Sequence, residues 1–197
     1  MSTPLKQNFK VYQGSTFTPI FRWESARKIY KTITGITQAA PCIVTAVGHG
    51  VPDGWRVKVT NAGGMTQINS TSAYKIATLK TVDTIEFNDI NSVGYTAYTT
   101  GGILEYNEPV SLAGYTARMQ VRGKLSDTAT IADLTTANGK IILDNTAKTI
   151  SILLTAVETA VFTFNSAVYS LELVETGTSI VTPFASGTLT LVTEVTR

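Results

Sequence analysis

The stretch Val47-Gly48-His49-Gly50-Val51-Pro52-Asp53-Gly54-Trp55-Arg56-Val57-Lys58-Val59 sets the densest turn chemistry of the chain directly against an alternating segment. Its glycines supply positive φ, Pro52 presets one dihedral, and Asp53-Gly54 marks a sharp reversal. Beyond the turn, Trp55, Val57 and Val59 point to one face and Arg56 and Lys58 to the other, the period of a half-buried strand. A strand enters, turns and returns, so β-structure is expected here. The same stretch holds His49, the one histidine in the sequence. Catalysis or metal ligation needs partners, and the only titratable neighbour at hand is Asp53 in the same turn. His49 is therefore expected to be structural, its ring against Trp55 or hydrogen-bonded to a loop carbonyl.

Working outward, the composition agrees with strands. A 43% hydrophobic content over 197 residues is enough for one medium domain or two small ones, while only 15% of residues are charged. Low charge with abundant Thr, Val and Ile favours a pleated surface over exposed helices, so the class is all-β. The net charge of +2 comes from scattered Lys and Arg, which gives no basic face for nucleic acid. Cys42 is alone, which excludes a disulfide within the chain, and its bland role is a small buried apolar residue. No apolar run approaches the roughly 20 residues of a membrane helix, and Met1-Ser-Thr-Pro-Leu-Lys-Gln lacks a signal-peptide core, so no membrane is expected and the protein is expected to be made and kept soluble in a cytoplasm, or carried out by some other route.

From the N-terminus, Phe9 to Tyr12 reads as a strand, Gln13-Gly14-Ser15 as a turn, and Thr16 to Glu24 as a strand with Pro19 marking an edge or a bulge. Ser25 to Lys28 reads as a turn and Ile29 to Ile33 as a short strand. Pro41 to Val47, Trp55 to Thr60, Tyr74 to Lys80 and Thr84 to Asn88 follow as short strands. A Gly- and Tyr-rich passage, Val93 to Gly102, leads into Ile103-Leu104-Glu105. This texture predicts a small, strongly curved, SH3-like barrel. After Pro109 the strands lengthen. Tyr115, Ala117, Met119 and Val121 alternate with Thr116, Arg118, Gln120 and Arg122, and Asn138-Gly139 is the strongest hairpin dipeptide. Lys140 to Asp144 and Lys148 to Leu154 continue the meander. Thr155 with Glu158 is a capping box for one helical turn, then Val168 to Val174, Ile180 to Phe184 and Thr188 to Val195 close the chain. Tyr169, opening a strand after a helical turn, is the candidate for a tyrosine corner. Residues 1–34 and 105–197 are thus expected to form one immunoglobulin-like β-sandwich, with residues 35–104 inserted as the barrel.

No set of residues reads as an active site. Asp83, Glu86 and Asp89 lack the ligand spacing of a calcium loop. Asp127 with Asp133, or Glu172 with Glu175, would be candidate hydrolytic pairs, but nothing in the pattern raises either pKa. Gly63-Gly64 and Gly101-Gly102 precede no helix, so they read as hairpin or bulge glycines and not as a phosphate loop. There is no nucleophile elbow. The expectation is no enzyme, no metal and no cofactor. Tyr95, Tyr98 and Tyr106 are either core of the barrel or an exposed surface for sugars or partners.

Certain motifs carry a resemblance. Gln13-Gly14-Ser15-Thr16-Phe17, Pro109 to Met119, Asn138-Gly139-Lys140-Ile141 and Val168 to Leu173 with Gly187 resemble the N-terminal immunoglobulin-like domain of phage upper-baseplate and tail-adaptor proteins. Gly48-His49-Gly50, Gly54-Trp55-Arg56-Val57, Gly63 to Asn69 and Gly94 to Gly102 resemble a small β-barrel module recurring in phage tail and fibre proteins. The resemblance implies a virion structural protein of a tailed phage, a non-enzymatic multi-copy connector that docks other tail, neck or fibre proteins and forms a homo-oligomer in the particle. Adaptors of that type usually continue into a receptor-binding region, whereas this sequence stops at Arg197, so a compact connector is expected over a receptor binder. A carbohydrate-binding module of a tail fibre is the alternative.

Overall fold

Residues 4–194 are described by the structure, a computed structural model; the start of the polar leader and Val195 of the predicted last strand lie outside them. In chain order the strands are β1 (Leu5–Lys6), β2 (Phe9–Tyr12), β3 (Ile20–Phe21), β4 (Glu24–Thr32), β5 (Gly35–Ile36), β6 (Cys42–Thr45), β7 (Trp55–Gly63), β8 (Lys75–Leu79), β9 (Thr84–Phe87) and β10 (Thr100–Pro109). There follow β11 (Tyr115–Arg122), β12 (Ala132–Thr135), β13 (Ile141–Asp144), β14 (Thr149–Ile152), the short helix α1 (Ala156–Ala160), β15 (Ser166–Glu175) and β16 (Val181–Val192). With half the residues in strands and 4% in helix, the class is all-β. Two compact units result, one of Met1–Arg22 with Ser111–Arg197 and one of Trp23–Val110.

In the Trp23–Val110 unit the alternation of β7 sends Trp55, Val57 and Val59 inward, and they meet Val44, Ile85, Phe87 and Leu104 in a core from which water is excluded. The sheet runs β4-β10-β7-β8-β9-β6-β5, all antiparallel. Its two ends meet on one segment of chain. Ile33 N–H donates to the Gly102 carbonyl at 3.0 Å, extending β4 against β10, and the next residue, Thr34, donates to the Thr45 carbonyl at 2.9 Å, beginning the run against β6. Residues 24–36 thereby cover both edges. Gly101 and Gly102, both at positive φ, let β10 bend at this point, and a Cβ on Gly102 would press on Ile33 at 3.3 Å.

This arrangement corrects the expected boundaries at 34/35 and 104/105. Ser25 to Lys28 lies within β4, which pairs with β10 from Thr32↔Ile103 to Lys28↔Asn107 and again at Glu24↔Pro109, with an irregularity at residues 25–27 between them, so residues 23–34 and 105–110 belong to the second unit. The charges that make Ser25-Ala-Arg-Lys read as a turn are satisfied across the strands, Arg27 by Glu108 and Lys28 by Glu105. Val110 N–H donates to the Trp23 carbonyl, so the segment begins and ends on one hydrogen-bonded pair of residues.

The other unit has two sheets. The larger runs β1-β16-β15-β11-β12, with β2 continuing the β1 edge along β16, and the smaller runs β13-β14-β3. β1 and β2 lie parallel to β16, so the first strands pair with the last. Phe21 of the small sheet meets Phe9 and Phe184 of the large one edge-on, at 5.7 and 6.1 Å between ring centres. Inward residues of β11 (Ala117, Met119, Val121) and β15 (Tyr169, Leu171, Leu173) are buried as their alternation requires. Thr16 to Glu24 is not one strand: it reduces to a bridge at Phe17, the two residues of β3, and β4 of the other unit, with Pro19 beside an edge strand as expected. The separate strands expected at Ile180 and Thr188 are one, β16, with a bulge opposite Leu171/Glu172.

Asn138-Gly139 makes no hairpin. β12 pairs with β11 and β13 with β14, so this turn carries the chain from one sheet to the other. The Asn138 amide donates to the Asp133 carbonyl and its oxygen accepts from Thr135 N–H, occupying groups at the outer edge of β12. The capping box forms: Thr155 Oγ1 accepts from Glu158 N–H, and Glu158 Oε2 accepts from Thr155 N–H at 2.8 Å.

Two outcomes are expected. Gly54 sits at φ 66°, where an L side chain costs about 1–2 kcal/mol and a β-branched one more. Gly54→Val should lower the denaturation midpoint read by Trp23 and Trp55 fluorescence, both in the Trp23–Val110 unit, while amide exchange of β11 and β15 stays unchanged. Concerted loss of both signals would show one cooperative body. Glu158 is held down at about 2 by the Lys140 ammonium and by hydrogen bonds from the Thr155 N–H and hydroxyl. A carboxyl depressed on folding stabilises above its unfolded value of about 4.3 and loses that contribution as pH falls toward about 2. Lys140→Met should therefore raise the Glu158 midpoint in a carboxyl NMR titration and shift the acid-side loss of stability upward; an unmoved midpoint would remove Lys140 as the cause.

Candidate functional site

Three places concentrate polar chemistry. The first is the histidine turn. His49 is almost fully buried, its Nδ1 accepts from Val51 N–H at 2.9 Å, and that bond makes Nε2 the protonated nitrogen, which donates to the Thr81 carbonyl at 3.1 Å. Its own carbonyl accepts from the Tyr106 hydroxyl. Asp53 is turned away to accept from Leu79 N–H, and Asp83 accepts from Gly48 N–H. Every group is spent on holding the turn to its neighbours, so the ring takes the second of its two expected roles.

The second place is the outer face of β4, β10 and β7, around Tyr74. Glu105 lies between Lys58 at 3.1 Å and Lys28 at 3.2 Å, and accepts from the Tyr74 hydroxyl, which in turn accepts from Lys28. Burial pushes the Glu105 carboxyl up, but the lysines and their hydrogen bonds together outweigh it and hold the group below the ordinary carboxylate range. Arg56 Nε reaches both oxygens of Glu24 at 2.8 Å, and Asn107 donates to the same carboxylate. Lys28, Arg56 and Lys58 all lie within 4.8–5.7 Å of the Tyr74 ring centre. Each cation already has a carboxylate. The cluster fastens the segment before β8 to the sheet.

The predicted tyrosines are absorbed likewise. Tyr106 is core, and Tyr98 packs on the core while its hydroxyl donates to the Ile33 and Gly101 carbonyls at the edge where the sheet closes. Tyr95 is partly buried against the same cluster. The suspected acids are dispersed: Glu86 pairs with Lys80, Asp89 with Lys75 and Glu172 with Arg118, while Asp127 accepts from Lys124 N–H and Glu175 from the Thr178 hydroxyl. Among the described residues no group of three or more His, Cys, Asp or Glu could hold a metal ion. Cys42 is buried, and burial pushes its thiol up.

The third place was not singled out from the sequence. It is a trough of about 680 Å³ on the outer face of the large sheet of the other unit. Two cross-strand rows floor it: Lys6, Ser186, Ser170 and Gln120 form one, and Thr188, Val168 and Arg122 the next. Small hydroxyls in the middle and long side chains at both rims make the hollow. Leu125, 91% exposed, stands on the rim beside Arg122. The signal was available in the outward phase of β11 and β15, but the register that sets Lys6 three strands from Gln120 was not.

Tyr169 holds one rim from beneath. A tyrosine corner bonds to backbone a few residues upstream, whereas this hydroxyl donates to the Gln7 carbonyl at 2.7 Å, across 162 residues of sequence. The corner expectation is corrected accordingly: Tyr169 ties the break between β1 and β2 to the sheet. Burial pushes its ionisation up to about 12. Gly187 lets the two backbones approach, since a Cβ there would sit 2.0 Å from the Gln7 oxygen. Tyr169→Phe should cost about 1 kcal/mol for the lost bond, and up to about 3 if the carbonyl stays dry, with faster amide exchange confined to β1 and β2; uniform exchange across the sheet would show that the bond does not fasten that edge.

No family model matches the chain, and none of the curated proteins matches it.

Proposed function

We propose that this chain is a virion structural protein of a tailed phage, a non-enzymatic, multi-copy connector that docks other tail, neck or fibre proteins. In this reading the Met1–Arg22/Ser111–Arg197 unit is an immunoglobulin-like sandwich and the Trp23–Val110 unit an SH3-like barrel spliced into it. The observation that carries the reading is the strand order. An immunoglobulin sheet sets its last strand beside its second-last, and that beside the third, with the opposing sheet made from intervening strands. The order β16-β15-β11-β12 against β13-β14-β3 follows that scheme, with the helical turn α1 before β15 and the first strands parallel to the last.

The residues behind the phage resemblance support it locally. Gly14, Gly114 and Gly139 all take positive φ in turns, and Gly187 permits the close approach of β1/β2 to β16. Gly48, Gly54 and Gly64 in the spliced unit also take positive φ, as do Gly101 and Gly102 where β10 bends. The function is then geometric: rigid sheets present faces and edges, and wide, partly polar surfaces rich in Ser, Thr and Tyr make the contacts.

Mass spectrometry of purified phage particles encoding this chain should find it at several copies per virion, and light scattering of the isolated chain should show self-association or co-assembly with other tail proteins. A strictly monomeric chain absent from particles would overturn the connector.

A further inference from the structure

From the trough we infer a docking site for an extended acidic segment of a partner protein, an inference that rests on the connector reading and adds to it the chemistry of the contact. The rims carry Lys6 and Arg122, and neither has a carboxylate partner among the described residues. Lys6 Nζ donates to Ser186 Oγ at 2.9 Å, leaning over the floor. The Arg122 guanidinium donates to the Asp127 and Thr128 carbonyls and, at 2.8 Å, to Gln120 Oε1. Neutral acceptors thus fix both cations in place and leave their charge uncompensated. Farther along this face Arg118 and Glu172 pair at 2.7 Å, while Asp133 lies one strand beyond Gln120, from which it accepts at 3.3 Å.

The rim spacing defines the ligand. Lys6 and Gln120, whose Oε1 holds the Arg122 guanidinium, are separated by three strand intervals of about 4.8 Å, or roughly 14 Å. An extended chain advances about 3.3 Å per residue, so acidic residues four apart would meet both cations. Between them the floor offers the Ser170, Ser186 and Thr188 hydroxyls to the segment's backbone, while Val168 and exposed Leu125 suit one apolar side chain. A sugar is the poorer fit, because the one aromatic residue of the lining, Tyr169, is buried and its hydroxyl is committed to Gln7.

The test is fluorescence anisotropy on the full chain with a labelled peptide containing Glu-Ser-Leu-Ser-Glu, against the same peptide with Gln for Glu and against one with adjacent glutamates. At least fivefold tighter binding of the spaced acidic peptide, weakened by salt and lost in Lys6→Glu and Arg122→Glu, is expected. Arg122→Lys should retain part of it, and circular dichroism establishes that the variants fold. Equal binding of all three peptides, or binding unmoved by both charge reversals, would overturn the inference. So would preferential binding of an acidic oligosaccharide, or a monomer–dimer equilibrium abolished by the same reversals, which would assign the trough to a glycan or to a second copy. The connector reading fails separately, by absence of the chain from particles whatever the peptides do. Normal incorporation of Arg122→Glu with no peptide binding would leave that reading standing and sink this one.

Discussion

A sheet cannot leave its outermost backbone groups in a dry place without partners, and in this chain a single segment covers two edges of one unit while the first strands cover the last strand of the other. In the Trp23–Val110 unit one run, residues 24–36, hydrogen-bonds to β10 with its first part and to β6 with its last, and the hand-over takes place between Ile33 and Thr34. In the other unit the first strands are laid along the last, and the Tyr169 hydroxyl secures the join. Covering both edges is what permits so small a sheet to keep Trp55 and Phe87 fully buried. It also explains the glycines, since Gly187 stands where one backbone passes close to another and Gly102 where a Cβ would press on Ile33.

The cluster around Tyr74 and the trough treat charge differently. Around Tyr74 every cation has a carboxylate, and Lys58 and Glu105 are each only about 15% exposed. Such a network fixes a loop and strand register but is closed to a ligand, because binding would have to break pairs already made. On the large sheet of the other unit, Lys6 and Arg122 are oriented by hydroxyl, amide and carbonyl groups, which cost no charge. Pre-orientation without neutralisation keeps the attraction available to an incoming acid and spares the entropy of ordering two long side chains.

Local chemistry was legible in the sequence, and partnership was not. The inward phase of Tyr115–Arg122, the capping box at Thr155 and Glu158, and the reversal at Asp53-Gly54 depend on neighbours a few residues away, and they stand as read. Ser25 to Lys28 was misread because its charges are answered by Glu108 and Glu105, about eighty residues on. Asn138-Gly139 has the composition of a hairpin but serves a sheet crossing, since β13 finds β14 and not β12. The merging of Ile180 and Thr188 into β16 was hidden by Pro183 and Gly187, one beside a bulge and the other beneath Gln7. The trough was invisible for the same reason: its two rims are more than a hundred residues apart, and only register brings them to one row.

That separation has a kinetic and a functional consequence. Lys6 arrives on the sheet only when β1 pairs with β16, which joins the start of the chain to its end, the contact with the greatest loop-closure cost. The row from Lys6 through Ser186 and Ser170 to Gln120 is therefore complete only in the finished fold, while Gln120 and Arg122 are set as soon as β11 meets β15. A ligand that needs both rims discriminates between a folded subunit and a partly folded one by the charge it finds opposite Arg122. A ligand that needed Arg122 alone would not. Recognition by both rims is thereby coupled to the docking of the N-terminal strands, which cover the otherwise open edge of β16.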